Sequence, residues 1–202
     1  MGKLVGAVLV LVVVAAAAFV AGRSQTRDDP PPADGVDVGF VQDMIDHHEQ
    51  AILMSSIVLR ATDAPELVRN AAVDIIASQR YEIGVMDGWL RVWGHGRGSV
   101  TRTDAMRWMG HGMPVAEMEG MATVNDLDRL SKASGGELVE SFFALMTAHH
   151  QGGIHMAERA AERAREHDVR WLAGQMARTQ RHEIKEMESI RLQLSSLSGS
   201  SR

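Results

Sequence analysis

Two stretches about a hundred residues apart, MIDHHEQAILM at 44–54 and MTAHHQGGIHM at 146–156, carry the same pattern Met-x-x-His-His-x-x-x-x-x-Met. The likeness extends beyond the motif. Aligning 40–54 on 142–156 matches Phe40 with Phe142, Ile52 with Ile154, and the four motif residues with their copies. Aligning 75–87 on 176–188 matches Gln79/Gln180, Arg80/Arg181, Glu82/Glu183, Ile83/Ile184 and Met86/Met187. The offsets are 102 and 101, so the repeated unit is two segments and the turn between them. A repeated pair of this kind is a duplicated supersecondary unit, each copy covering the apolar face of the other.

Both segments of the unit have helical periodicity. The first runs from about Val36 to Ala61. TDAPE follows, where Asp63 can cap a second helix with Pro65 in its first turn and Glu66 three residues after the cap. That helix reaches about Trp93 and stops at GHGRG, 94–98. Residues 95–136 are irregular by pattern; Ser134-Gly-Gly-Glu137 then resembles a capping box for a third helix to about Glu166, and Asp168 caps a fourth to about Leu197. Short turns make antiparallel hairpins, 36–93 and 137–197, and one long crossover joins them. The expectation is an all-α fold, a ferritin-like four-helix bundle over 36–197 with a disordered tail at 198–202.

The amino terminus carries LVGAVLVLVVVAAAAFVA, Leu4 to Ala21, which is long enough for a membrane anchor and long for a signal peptide's apolar core. Residues 1–22 are read as signal anchor or signal peptide and the proline-rich 23–35 as a linker, so the membrane is the expected partner of the N-terminal helix and the bundle faces outside the cytoplasm. The chain has no cysteine, which removes disulfides, thiolate metal sites and thiol chemistry together. A net charge of -5 with 4% aromatics gives neither the field nor the stacking surface for nucleic acid. No phosphate loop, dinucleotide fingerprint, His-Glu-x-x-His or nucleophile elbow is present, so ordinary hydrolase chemistry has no carrier. A homodimer contact or a metal-exchange protein are the protein partners left open.

The buried stripe of a bundle helix advances in steps of four and three. On the first helix it reads Phe40, Met44, His47, Ala51, Met54, Val58, and on the third Phe142, Met146, His149, Gly153, Met156, Ala160. On the second it reads Ile75, Gln79, Glu82, Met86, Trp89, Trp93, and on the fourth Met176, Gln180, Glu183, Met187, Ile190, Leu194. His47, His149, Glu82 and Glu183 therefore point inward with the large apolar residues, while His48 and His150 lie about 100° round the helix, on the flank. A buried carboxylate costs several kcal/mol unless it is paired, protonated or bound to a cation. Taken singly these are core methionines and satisfied histidines; their convergence on one face, twice, points to a metal site.

The crossover adds a second donor set. MRWMGHGMPVAEMEGM, 106–121, places Met106, Met109, His111 and Met113 close together with Met118 and Met121 beyond, and no helical stripe explains them. Soft thioethers select soft ions such as Cu(I), while imidazole suits copper in both oxidation states. The bland reading is an apolar lid of polarizable side chains over the bundle.

His149-His150-Gln151 with Met156, followed by QRHEIKEM at 180–187, resembles the domain of unknown function 305 family, whose hallmark is a doubled His-His/Met helix followed by a Gln-x-x-Glu-x-x-x-Met helix. The resemblance spans about residues 38–194 and implies a ferritin-like fold, export or membrane anchoring, and copper binding or resistance. By position it implies ligands Met44, His47, His48, Met54 and Met86 in one half and Met146, His149, His150, Met156 and Met187 in the other. The copies differ: Glu49 stands against Gln151, Leu53 against His155 and Tyr81 against His182. The extra imidazoles His155 and His182 are expected to make the second half the tighter site, with Glu82 and Glu183 orienting histidines.

The leading expectation is therefore a copper-binding protein, with iron, manganese or zinc as the other candidate ions. A metal-free interaction or sensory bundle is the alternative, in which Glu82–His47 and Glu183–His149 are internal hydrogen bonds. A di-iron oxidase is the weaker one, since Asp43 and Asp46 face Leu145 and Ala148 in the repeat and the carboxylate set is incomplete.

Overall fold

The structure, a computed structural model, describes residues 29–199, so the Leu4–Ala21 segment and the last residues of the tail lie outside the described part. Among the described residues the fold is all-α, with five helices and no strand. These are α1 Val36–Arg60, α2 Glu66–Trp93, α3 Val124–Lys132, α4 Gly135–Arg163 and α5 His167–Gly199. None of them is long and apolar enough to cross a membrane.

α1 packs on α2, α4 packs on α5, and the two hairpins meet chiefly through α1 and α4. Contacts at both ends fix α1 and α4 as antiparallel. Asp63, in the α1–α2 turn, accepts the backbone N–H of Gly135 at the start of α4 (2.6 Å). Asp37, at the start of α1, accepts the N–H groups of Arg165 and Glu166 in the α4–α5 turn (3.0 and 2.9 Å). These carboxylates satisfy donors at helix starts and complement the positive helix end.

This changes the capping expected from the sequence. Pro65 is the N-cap of α2 and offers no side-chain cap, and Ser134 sits at the N-cap of α4 without a side-chain bond. Asp63 serves the opposite hairpin, and Asp168 lies in the first turn of α5 beside His167, 3.2 Å away. Local spacing located the helix starts, but the acceptors come from residues far away in the chain.

The crossover begins near the start of α1, where His95 donates to Pro31 O (2.8 Å) and Gln42 to Gly96 O (2.7 Å). It ends at the start of α4, beside the α1–α2 turn. It therefore runs the length of α1, about 37 Å at 1.5 Å per residue. It is less irregular than its composition suggests. An isolated antiparallel bridge joins Ala105 and Met113, short 3₁₀ turns occupy Arg107–Met109 and Val115–Glu117, and α3 follows. α3 starts at a full capping box, Thr123 with Asp126, which the sequence reading passed over.

The predicted stripes of α1 and α4 are buried throughout, as are Ile75, Gln79, Glu82 and Met86 of α2. The apolar core forms two clusters. One gathers Met44, Met86, Met106, Met118, Met156 and Met176; the other gathers Met54, Met146 and Met187 with Phe142 and Phe143. The clusters do not follow the hairpins. Because α1 and α4 are antiparallel, Met54 packs with the second hairpin's Met146 and Met187, and Met156 packs with the first hairpin's Met44 and Met86.

Candidate functional site

Between the methionine clusters lies a polar layer. His47, His48, His149 and His150 are all 0% exposed, and Gln79 and Gln180 are buried beside them. The rings of His47 and His149 stack across the α1–α4 interface, centroids 3.7 Å apart and planes inclined by 29°. His149 donates its Nε2–H to the backbone carbonyl of His47 (2.9 Å), and His47 donates its own to the carbonyl of Glu119 in the crossover (3.3 Å).

The glutamates engage the flanking histidines. His48 Nε2 lies 2.7 Å from Glu82 Oε2 in a hydrogen bond. His150 Nε2 lies 2.7 Å from Glu183 Oε2, but out of line for a hydrogen bond, so neither ring nitrogen of His150 is satisfied. The pairs Glu82–His47 and Glu183–His149 considered from the sequence are thus replaced by Glu82–His48 and Glu183–His150. α2 and α5 pack against the flanks of α1 and α4, which is where the second histidine of each doublet points.

A carbonyl oxygen only accepts, so the ring nitrogens facing it carry the hydrogen and the lone pair of the neutral imidazole falls on Nδ1. The Nδ1 atoms of His47, His48, His149 and His150 are all buried without a hydrogen-bond partner. Burial, reinforced by the neighbouring His48, lowers the pKa of His47 to about 3. Burial and the facing His47 hold His149 well below the ordinary range. Both are neutral near pH 7, the form in which imidazole binds a metal.

The candidate thioethers Met44, Met54, Met86, Met146, Met156 and Met187 are each at most 2% exposed and flank this layer in the two clusters. His155 and His182 do not join it. Both face solvent, and His155 pairs with Glu119 (2.7 Å). Positions 155 and 182 lie off the inward stripes, so neither imidazole adds a donor to the buried layer.

The crossover divides in the same way. Met106 and Met118 are buried in the first cluster, Met109, Met113 and Met121 pack against it half-buried, and His111 is exposed. The segment is held by residues that the sequence reading set aside. Asp43 accepts the N–H of Met106 (2.7 Å), the Nε1–H of Trp108 (2.8 Å) and an Arg102 N–H (2.5 Å). Arg102 also pairs with Asp46, whose pKa is raised by burial against the lowering effect of that guanidinium. Gln50 clips both backbone groups of Ala122. Gly152 on α4 and Gly120 in the crossover let the two backbones touch: a Cβ on Gly152 would lie 2.0 Å from Glu119 O. The repeat itself held the signal. Asp43, Asp46 and Gln50 face Leu145, Ala148 and Gly152 in the other copy because the crossover needs anchors on α1 and clearance on α4.

Among the described residues, no three His, Asp or Glu side chains are grouped to hold an ion. Any metal centre built here draws on imidazole together with thioether.

The sequence model of DUF305, a domain of unknown function, matches residues 37–191. No curated protein matches the chain. Among solved structures, a presumed secreted DUF305 protein from Streptomyces coelicolor is 38% identical, with 79% of this chain and 93% of that one covered and a TM-score of 0.72. A DUF305 fragment from Deinococcus radiodurans is 31% identical over 80% and 97%, TM-score 0.66. CopM in its Cu(I)-bound form is 26% identical over 78% and 96%, TM-score 0.56, and CopM is also solved with Cu(II) and with Ag.

Proposed function

The chain belongs to the DUF305 family, and from that premise we propose that it is an extracytoplasmic copper-binding protein, which sequesters the ion, passes it on or confers resistance to it. The observation that carries this reading is the set of four buried Nδ1 atoms without partners, on His47, His48, His149 and His150. A buried lone pair with nothing to accept is costly, and a bound cation removes that cost.

The donor set fits copper. Imidazole suits Cu(I) and Cu(II), thioether favours Cu(I), and neither carries charge that has to be neutralised on burial. The histidines would hold the ion through Nδ1, with Met44, Met86 and Met156 available on one side and Met54, Met146 and Met187 on the other. Nε2–H bonds to Glu82, Glu119 O and His47 O fix the rings' orientation. Iron and manganese want oxygen ligands, yet Asp43 and Asp46 are engaged by Arg102. The copper and silver forms of CopM support a soft-ion reading. Export follows from the apolar Leu4–Ala21 segment and agrees with the presumed secretion of the Streptomyces relative.

Anaerobic titration of the full chain in mild detergent with Cu(I), against a chromophoric chelator, tests the reading, with the double variant His149→Ala, His150→Ala alongside. Tight binding that the variant loses supports the core site. Binding that the variant keeps moves the site to Met106–Met121. Absence of Cu(I) and Cu(II) binding in the parent sinks the copper function. The metal-free interaction bundle, which the aligned His48–Glu82 bond favours, would then lead.

A further inference from the structure

α1 and α4 pack closely, whereas α2 and α5 stand further apart and leave a cleft of ≈ 180 Å³ between them. Asp74 and Ser78 of α2 line one wall, and His182, Glu183, Glu186 and Met187 of α5 line the other. Asp74, His182 and Glu186 are exposed, while Met187 at 2% exposure belongs to the buried core.

Glu183 joins the cleft to the interior. Its Oε1 lies 3.4 Å from Ser78 Oγ, and its Oε2 lies 2.7 Å from the ring of His150. His150 is fully buried, and neither of its nitrogens makes a hydrogen bond. A path of donors therefore runs from solvent through Asp74, His182 and Glu186 to Glu183, and from there to an unsatisfied imidazole.

The duplication provides a comparison inside the chain. Asp74, His182 and Glu186 correspond in the other copy to Gln175, Tyr81 and Val85. One end of the α2–α5 seam thus carries cation donors, and its counterpart carries an amide, a phenol and an aliphatic side chain. Asp74, His182 and Glu186 are all exposed, so packing does not call for charge at these positions, whereas Val85 in the other copy packs half-buried against the first cluster.

We infer that the α2–α5 cleft is the port through which a copper ion reaches the buried histidines, with Asp74 and Glu186 drawing the cation in and Glu183 passing it to His150. The inference rests on the copper reading above. A port acts on rates: its carboxylates raise the local cation concentration and speed association, increasingly so at low ionic strength. Holding the ion at the mouth lowers the barrier to entry and to exit, so uptake and release change together and by more than the equilibrium affinity does.

The test compares the full chain with the exposed double variant Asp74→Gln, Glu186→Val, which installs the residues of the other copy. Uptake of weakly complexed Cu(I) is followed by anaerobic stopped flow through the ultraviolet absorbance of thioether-bound copper. Affinity is measured separately by chelator competition, and folding by circular dichroism. Uptake and release both about ten-fold slower at low ionic strength, converging in high salt at unchanged affinity, are the expected result. Unchanged rates in a copper-binding parent overturn the port and leave the copper function standing. A fall in affinity that persists in high salt also overturns it, since these residues would then be ligands. A parent that takes up no copper removes the function and the port together.

Discussion

His149 donates to the backbone carbonyl of His47 at 2.9 Å while the two rings stack 3.7 Å apart. The contact ties α1 to α4 at the centre of the molecule, and it needs neutral rings. Two imidazolium ions could not share this space without solvent or anions between them.

That requirement sets a pH dependence. In the unfolded chain His47 titrates near 6.5, and in the fold its pKa is lowered to about 3 by burial; that of His149 is lowered in the same direction. Between these values the unfolded chain binds more protons, so this contribution is full above about pH 6.5 and is lost as pH falls toward 3. The urea midpoint of the metal-free protein should drop between pH 7.5 and pH 5, before most carboxylates titrate. A flat midpoint across that interval would show that the pair is not held neutral.

Much of this architecture was legible in the residues themselves. The four-and-three stripes named the buried faces of α1 and α4 because period and burial are both local properties of a helix. The same stripes could not say whether Glu82 meets His47 or His48, since adjacent positions differ by about 100° and the choice depends on where α2 sits. The family resemblance grouped Met44, Met54 and Met86 in one half and Met146, Met156 and Met187 in the other. The clusters instead mix Met54 with Met146 and Met187, a consequence of antiparallel packing between the copies. α3 was missed because its nine residues present little apolar surface, with Leu130 alone fully buried. The caps from Asp37 and Asp63 reach across the fold, where no spacing rule applies.

Asp43 should be the most sensitive anchor of the crossover. Its carboxylate takes two N–H donors and a guanidinium at 2–3% exposure. Asp43→Ala leaves the N–H groups of Met106 and Trp108 buried and unmatched and Arg102 held on the carboxylate side by Asp46 alone, for a loss of about 3 kcal/mol. Hydrogen exchange should rise around Met106 and Trp108, and Trp108 fluorescence should shift to the red. Asp43→Asn should retain part of the stability, because its carbonyl oxygen still accepts. An alanine variant within experimental error of the parent in urea would refute the anchor.

Asp63 tests whether the hairpins cap one another. Asp63→Ala removes the acceptor for Gly135 N–H and should destabilise by about 1 kcal/mol. The faster amide exchange should appear at the start of α4, on the other hairpin. Were the loss confined to the first turn of α2, the residue would be an ordinary local cap. Ser134→Ala should have little effect, since its side chain makes no capping bond.

Gly152 tests the seal over the histidine layer. A Cβ there would lie 2.0 Å from Glu119 O and 3.1 Å from Gly120 N, both backbone atoms, so no side-chain rotation relieves the overlap. Gly152→Ala must push the 119–120 backbone off α4, which lengthens the His47–Glu119 contact as well. Overpacking of this kind costs about 1–3 kcal/mol, partly offset by the higher helix propensity of alanine. Exchange protection should fall at residues 118–122, with the core of α4 unaffected. At the equivalent position of the other copy, Gln50→Ala should also loosen 118–122, by removing the clip on Ala122 instead of the clearance. If Gly152→Ala proved neutral or stabilising with 118–122 still protected, the crossover would not be seated on α4 by backbone contact, and the cover over His47 would have to come from Asp43, Asp46 and Gln50 alone.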